Sequence, residues 1–225
     1  MNVLILGRGK TGSLVAEVAR ERGHSVRVAG KSENQGGAAL TRERLADVDV
    51  VVDFTTPAAV LENIAACAAA GKNMVVGTTG WYDALPHVRG LVAKGGIGFL
   101  YSANFSVGVN LFFEIARTAA VTLQQGYSGN IVERHHIHKK DAPSGTAVKL
   151  RHIIEDTSGT RLEIASVREG EVVGTHIIHL ASPSDSITLT HKAKSRRGFA
   201  EGALRAAEWI KGKKGFFEFA DVLKD

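Results

Sequence analysis

Short apolar runs alternate with longer amphipathic stretches through the first half of the chain. Asn2–Leu6 reads as a buried strand, and a glycine-rich turn leads from it into a helix over Gly12–Arg22. In that helix Leu14, Val15, Val18 and Ala19 recur at helical spacing. A second strand is predicted at Ser25–Ala29, and Val48–Phe54 is a continuous apolar run of the kind that lies inside parallel sheets. Pro57 suits the first turn of a helix running to Ala70, with Gly71 as its stop. A strand at Asn73–Gly77, a helix near Tyr82–Lys94 and a strand at Gly98–Ser102 continue the pattern. Such alternation predicts a doubly wound parallel α/β sheet.

The rhythm changes after Asn104. A helix is predicted over Val107–Val121, a strand over Gly129–His136 and a helix from about Ser144 to Thr157. Three strand-like runs follow, at Arg161–Arg168, Glu171–Ala181 and Asp185–Lys194. Turn signals at Glu169-Gly170 and Ser182-Pro183-Ser184 join them, as in an antiparallel meander. These elements predict a second, α+β domain at 105–196 with a mainly antiparallel or mixed open sheet. The last helical run, Phe199–Ile210, carries Ala200, Ala203, Leu204, Ala207 and Ile210 on one face. It is expected to return to the first domain, which then comprises 1–104 and 197–225.

Composition narrows the class. At 225 residues with 44% hydrophobic content the chain can bury one large core or two small ones, and its single cysteine, Cys67, excludes a disulfide scaffold. Cys67, Trp81 and Trp209 read as packing residues, with Trp81 placed by the Gly77 turn near any ligand there. No apolar run approaches the roughly 20 residues of a membrane helix, and the opening MNVLILGRGK lacks a basic leader. The expectation is a cytoplasmic protein with no membrane partner. A net charge of +5 admits an anionic partner without naming one.

Gly7-Arg8-Gly9-Lys10-Thr11-Gly12 is a G-x-G-x-x-G sequence that leaves the first strand and opens the first helix, the context of a Rossmann-like dinucleotide site. Gly7 permits the tight turn, Gly9 lets backbone approach a pyrophosphate, and Gly12 lets helix and strand pack closely. The helix N-terminus offers N–H groups and partial positive charge. After the second strand comes Gly30-Lys31-Ser32, with Glu33 the first acid. A lysine and a serine there suit a ribose 2′-phosphate, so NADPH is the expected coenzyme, with NADH possible. The turns Phe54-Thr55-Thr56-Pro57 and Gly77-Thr78-Thr79-Gly80 sit at strand ends, where the nicotinamide half of a dinucleotide lies.

The segment Glu133-Arg134-His135-His136-Ile137-His138-Lys139-Lys140-Asp141-Ala142-Pro143-Ser144-Gly145-Thr146-Ala147 carries the chemistry. Strand alternation puts Glu133 and His135 on one face, Arg134 and His136 on the other. Pro143 is expected to begin a helix whose N–H groups around Ser144, Gly145 and Thr146 form an anion site. Lys139 and the histidines stand nearby to balance a carboxylate and supply a proton. A metal site is not expected, because adjacent histidines diverge on a strand and the lysines disfavour a cation. Nor is nucleic acid, since the basic loop has no interleaved aromatics.

This segment resembles the signature of the dihydrodipicolinate reductase family. The resemblance extends to the glycine loop, Val52-Asp53-Phe54-Thr55, Gly77-Thr78-Thr79-Gly80 and Ser102-Ala103-Asn104-Phe105-Ser106-Val107-Gly108-Val109-Asn110. Arg168-Glu169-Gly170, Leu189-Thr190-His191, Ser195-Arg196 and Gly215–Leu223 match as well. It implies that His135 is the acid/base catalyst and Lys139 its cationic partner, with His136, Ser144, Gly145 and Thr146 on the substrate carboxylates. It implies a cofactor set of Gly7, Gly9, Lys10, Thr11, Gly12, Lys31, Ser32, Phe54, Gly77, Thr78, Thr79, Ala103, Asn104 and Phe105. Family members reduce a cyclic hydroxy-dicarboxylate on the diaminopimelate route to lysine and are cytoplasmic homotetramers joined through their second domains. Two departures stand out. Many relatives carry an acid after the second strand where this chain has Ala29-Gly30-Lys31-Ser32, and Thr56 stands where some relatives carry a basic residue.

Overall fold

The computed structural model describes all residues, Met1–Asp225, in two compact units: Met1–Ser106 with Arg197–Asp225, and Val107–Arg196.

The first unit is built on a six-stranded, wholly parallel sheet. Its strands are β1 (Asn2–Leu6), β2 (Ser25–Ala29), β3 (Val50–Asp53), β4 (Asn73–Val76), β5 (Gly98–Tyr101) and β10 (Gly215–Glu218). Their spatial order is β10-β5-β4-β3-β1-β2. Residues of β1, β3, β4 and β5 alternate between two buried faces, whereas the edge strands β2 and β10 are partly exposed. Leu4, Leu6, Val51, Met74, Val76 and Phe99 join the core beneath α2 (Pro57–Ala70) and α3 (Leu85–Gly95). Helices α1 (Lys10–Glu21) and α6 (Arg197–Ile210) pack together, and α6 also meets β3 and β4. The small face expected on α6 is fully sequestered: Ala200, Ala203, Leu204, Ala207 and Ile210 expose nothing. Burying Leu204 and Ile210 contributes about 2 kcal/mol each. The stretch 30–49 between β2 and β3 has only a single 3-10 turn, Gln35–Gly37, yet buries Leu40, Leu45 and Val48.

Two elements escaped the sequence pattern. Strand β10 and the short helix α7 (Phe219–Val222) occupy the tail, where four-residue elements carry too little periodicity to read. The predicted first helix begins two residues early, at Lys10, and α3 starts at Leu85 after a 3-10 turn.

The second unit has a four-stranded mixed sheet in the order β7-β6-β8-β9, formed by β6 (Ser128–His135), β7 (Glu163–Arg168), β8 (Thr175–Ala181) and β9 (Ser186–Lys192). The expected meander is only half realised. Strands β8 and β9 form an antiparallel hairpin, but β7 pairs in parallel with β6 instead of preceding β8 in the sheet. Helix α5 (Gly145–Ser158) is the reason, because it crosses from the end of β6 to the start of β7 and packs on both. With α4 (Val107–Ala119) it covers one sheet face through Phe112, Phe113, Ile131, Leu150, Ile154, Ile178 and Leu180. No helix of the protein is long and apolar enough to cross a membrane.

Candidate active site

The glycine loop stands where β1 hands over to α1. Gly7 adopts φ +99°, and a Cβ on it would lie 2.3 Å from the Phe54 carbonyl oxygen. A Cβ on Gly12 would lie 2.3 Å from the Gly7 carbonyl oxygen, so both positions admit only hydrogen. Gly9, by contrast, has open space above it and caps α1. The first bond of that helix runs from Ser13 N–H to Gly9 O (3.0 Å), so the Lys10, Thr11 and Gly12 N–H groups come before it. A cleft of about 270 Å³ opens there, lined by Gly9, Lys10, Thr11, Gly12, Phe54, Thr55, Pro57, Gly77, Thr78 and Thr79. Backbone of this shape, open at Gly9 and closed beneath it, fits a dinucleotide diphosphate.

Beyond the end of β2 lies a second hollow of about 610 Å³, lined by Arg8, Gly30, Lys31, Ser32 and Gln35. Glu33 reaches back toward it. Its carboxylate accepts the Gly30 N–H (2.6 Å) and an Arg8 guanidinium N–H (2.6 Å). The Gly30 hydrogen bond holds this exposed carboxyl below its ordinary value, with Arg8 adding to the effect. An acid therefore stands at the strand end after all, delivered by a turn instead of by the strand. Arg8 and Gln35 also line this hollow, and sequence reasoning gave neither a role.

Several expected ligand residues turn inward. Thr78 is 6% exposed. Its hydroxyl donates to Asp53 Oδ1 (2.7 Å) and accepts the Thr55 N–H (2.8 Å). Asp53 is fully buried and also accepts Asn63 Nδ2 (2.7 Å), so it ties the β3 and β4 turns together from below. The Phe105 ring packs against Phe54 and Phe219 and is buried, whereas Ala103 and Thr79 are exposed. Asn104 sits half-buried in a turn closed by Ser102, whose hydroxyl donates to the Asn104 carbonyl (2.8 Å). Trp81 is a core residue whose indole N–H donates to the Thr78 carbonyl (2.7 Å).

In the second unit, β6 carries Glu133 and His135 on its covered face, with Arg134 exposed on the other. Glu133 contacts both His135 Nδ1 and Arg168, whose Nη2 donates to Glu133 Oε1 (2.8 Å). Burial alone would push the Glu133 carboxyl up, but hydrogen bonds from Arg168, Ser166 and His135 outweigh it and hold the group below its ordinary value. An ionised carboxylate only accepts, so His135 carries hydrogen on Nδ1 and presents Nε2 for chemistry. Nε2 lies against Gly174, where a Cβ would come within 3.1 Å. Burial draws the His135 imidazole below 6.5; Glu133 opposes this, and Lys139 and Arg168 add to it.

Lys139 donates to both oxygens of Asp141 (2.7 and 2.9 Å), and Asp141 is held below its ordinary value chiefly by that ammonium. His136 and His138 lie with their ring centres 6.3 Å apart, and Arg196 Nη2 approaches His136 Nε2 (3.4 Å). Pro143 does not begin α5; Ser144 is its N-cap. The Ser144 hydroxyl accepts the Ala147 N–H (3.3 Å) and meets His176 Nε2 (3.2 Å), and the residue is 2% exposed. That hydroxyl is therefore committed inside the protein, because a cap must bond the helix it starts. Gly145 is exposed and Thr146 half-buried, and their N–H groups precede the first helical bond, Val148 N–H to Ser144 O (3.0 Å). His176, 4% exposed, packs edge-on to His135 with ring centres 5.3 Å apart. Burial drives its pKa down to about 4. Neither His176 nor Arg168 was read as part of the site, since each lies on a strand distant in sequence.

The dihydrodipicolinate reductase N-terminus matches residues 1–105 and the dihydrodipicolinate reductase C-terminus matches residues 108–223. The 4-hydroxy-tetrahydrodipicolinate reductase of Christiangramia forsetii is 39% identical over 100% of this chain and 98% of its own length. That of Chromobacterium violaceum is 42% identical over 78% of this chain and 73% of its own. Among solved structures, the dipicolinate-bound dihydrodipicolinate reductase from Paenisporosarcina sp. TG-14 has the same fold, with a TM-score of 0.80, 23% identity and 98% of each chain covered. A probable dehydrogenase from Thermotoga maritima shares it more distantly, at a TM-score of 0.59 and 11% identity over 99% of this chain and 92% of that one. Two family halves matched end to end, over the units that carry the glycine cradle and the Glu133–His135 pair, mean that the chain belongs to the dihydrodipicolinate reductase family.

Proposed function

We propose that this protein reduces 4-hydroxy-tetrahydrodipicolinate to tetrahydrodipicolinate, with loss of water, in the diaminopimelate route to lysine. The observation that carries this reading is the buried Glu133–His135 pair beside Lys139 and the N-terminus of α5. Bound NAD(P)H supplies the hydride. The chain's own part is to hold the coenzyme diphosphate on the α1 N-terminus and the substrate carboxylates on Lys139, His136 and the Gly145 and Thr146 N–H groups. In binding a dicarboxylate, Lys139 exchanges its Asp141 partner for the substrate. His135 delivers the proton from Nε2. Its lowered pKa leaves the free imidazole neutral near pH 7, and two incoming carboxylates favour the charged form, so substrate binding loads the proton.

NADPH is the proposed preferred coenzyme. Its 2′-phosphate would sit in the hollow of Arg8, Lys31 and Ser32, competing with Glu33 for the Arg8 guanidinium and the Gly30 N–H. A cytoplasmic homotetramer is proposed as well. The uncovered face of the second sheet carries Val132, Ala165, Val167 and Ile177 among threonines, which favours self-association. Light scattering measures the subunit number directly.

The function is tested by generating the unstable substrate in situ and following the absorbance of reduced nicotinamide. Turnover is expected. A silent assay with tight coenzyme binding would favour a non-catalytic dinucleotide sensor.

A further inference from the structure

Arg168 terminates β7, a strand whose sequence neighbourhood shows no other sign of chemistry. Its guanidinium nevertheless touches both halves of the second-unit site. One nitrogen, Nη2, donates to Glu133 Oε1 (2.8 Å) and to the Asp141 carbonyl oxygen (2.6 Å), while Nη1 donates to the Val167 carbonyl (2.8 Å). Glu133 is fully buried, and its other oxygen holds His135 Nδ1. Asp141 holds the Lys139 ammonium through its carboxylate. A single side chain thus links the strand that carries the acid to the loop that carries the substrate cation.

We propose that Arg168 is a positioning residue for the reduction: by gripping the Glu133 carboxylate and the Asp141 carbonyl together, it fixes His135 and Lys139 at one spacing. The inference rests on the reading of His135 as the proton donor. Arginine suits the task because its planar fork is rigid and always charged, whereas lysine is a flexible point charge. Without it, Glu133 would be a buried carboxylate with one partner fewer, and both it and the imidazole it holds would be free to shift. The groups facing His135 from the surrounding elements are Glu133 on β6, Arg168 on β7, His176 on β8, and Lys139 and Asp141 on the loop.

The test compares kcat and KM against pH for the wild type, Arg168→Gln, Arg168→Lys, Glu133→Gln and His135→Ala, with coenzyme binding followed by fluorescence. In the wild type, kcat/KM is expected to fall as pH rises through a value below 6.5, because the protonated pair is the active form. Arg168→Gln removes a cation and should move that limb up in pH. Glu133→Gln removes the anion and should move it down. Arg168→Lys keeps the charge, so the limb should stay while the lost fork raises substrate KM. Arg168→Gln should also lower kcat about 10- to 100-fold, the scale of a misplaced reacting group. Unchanged kcat, KM and limb in both Arg168 variants, with His135→Ala inactive, would reduce Arg168 to an ordinary ion pair. An active His135→Ala would instead overturn the assignment of the acid. If Arg168→Gln fails to fold, Arg168→Lys decides alone: unchanged substrate KM and kcat sink the proposal.

Discussion

The two candidate ligand-binding regions are built from opposite materials. The proposed coenzyme cradle is backbone: Gly7 and Gly12 with no room for a Cβ, helix N–H groups, and strand ends of a parallel sheet. The histidine site is side chain: a buried carboxylate holding one histidine and an arginine, a second histidine packed on the first, and a lysine held by Asp141. A backbone site tolerates changes in side-chain chemistry but not added volume. A side-chain network tolerates little chemical change, because each buried polar group stripped of its partner costs free energy.

The largest expected effect comes from deleting the network's working member. His135→Ala should lower kcat by about 10²- to 10⁴-fold while leaving the coenzyme dissociation constant unchanged, since the two sites lie on different units. Equal losses in both quantities would erase the contrast. Next is a pH effect on stability. His176 has a folded pKa of about 4 against 6.5, so between those values the unfolded chain binds a proton that the folded chain refuses. Stability from this group is complete above pH 6.5 and is lost as pH falls toward 4, about 3 kcal/mol in all. His176→Asn should flatten that part of the melting profile, and an unchanged slope would remove His176 from the account.

In the cradle, Gly12→Ala should cost about 1–3 kcal/mol through forced displacement of the Gly7 carbonyl, and coenzyme affinity should fall with it. Calorimetry and fluorescence titration measure the two together, and retained affinity would mean the cradle is not backbone-limited. The smallest effect belongs to Glu33, at an exposed pair. Glu33→Ala frees Arg8, and the ratio of NADPH to NADH efficiency should rise severalfold. A falling ratio would show that Glu33 does not compete with the 2′-phosphate.

Much of this was legible in advance where a short-range pattern sufficed. Strands β1, β3, β4 and β5 are apolar on both faces, so composition marks them, and Pro57 and Gly71 bound α2 as helix grammar requires. The common face of Glu133 and His135 follows from an interval of two residues. Side-chain direction at element ends did not follow from spacing. Thr78, Phe105 and the Ser144 hydroxyl all lie in the expected segments yet point into the protein, because Asp53, a ring cluster and a helix cap claim them. Glu33 looked too late in sequence to serve the β2 end until a turn carried it back to Gly30.

By itself the sequence determined the parallel sheet, the glycine loop, the return of α6 to the first unit and the family to which the chain belongs, because local periodicity and motif spacing are short-range properties. Only the tertiary structure decided that β7 pairs in parallel with β6, which sets Arg168 beside Glu133 across 35 residues of chain, and that His176 backs His135 from β8. Strand pairing and burial are long-range events. Until they occur, a half-buried arginine, its carboxylate and a neutral histidine are only three polar residues on separate strands.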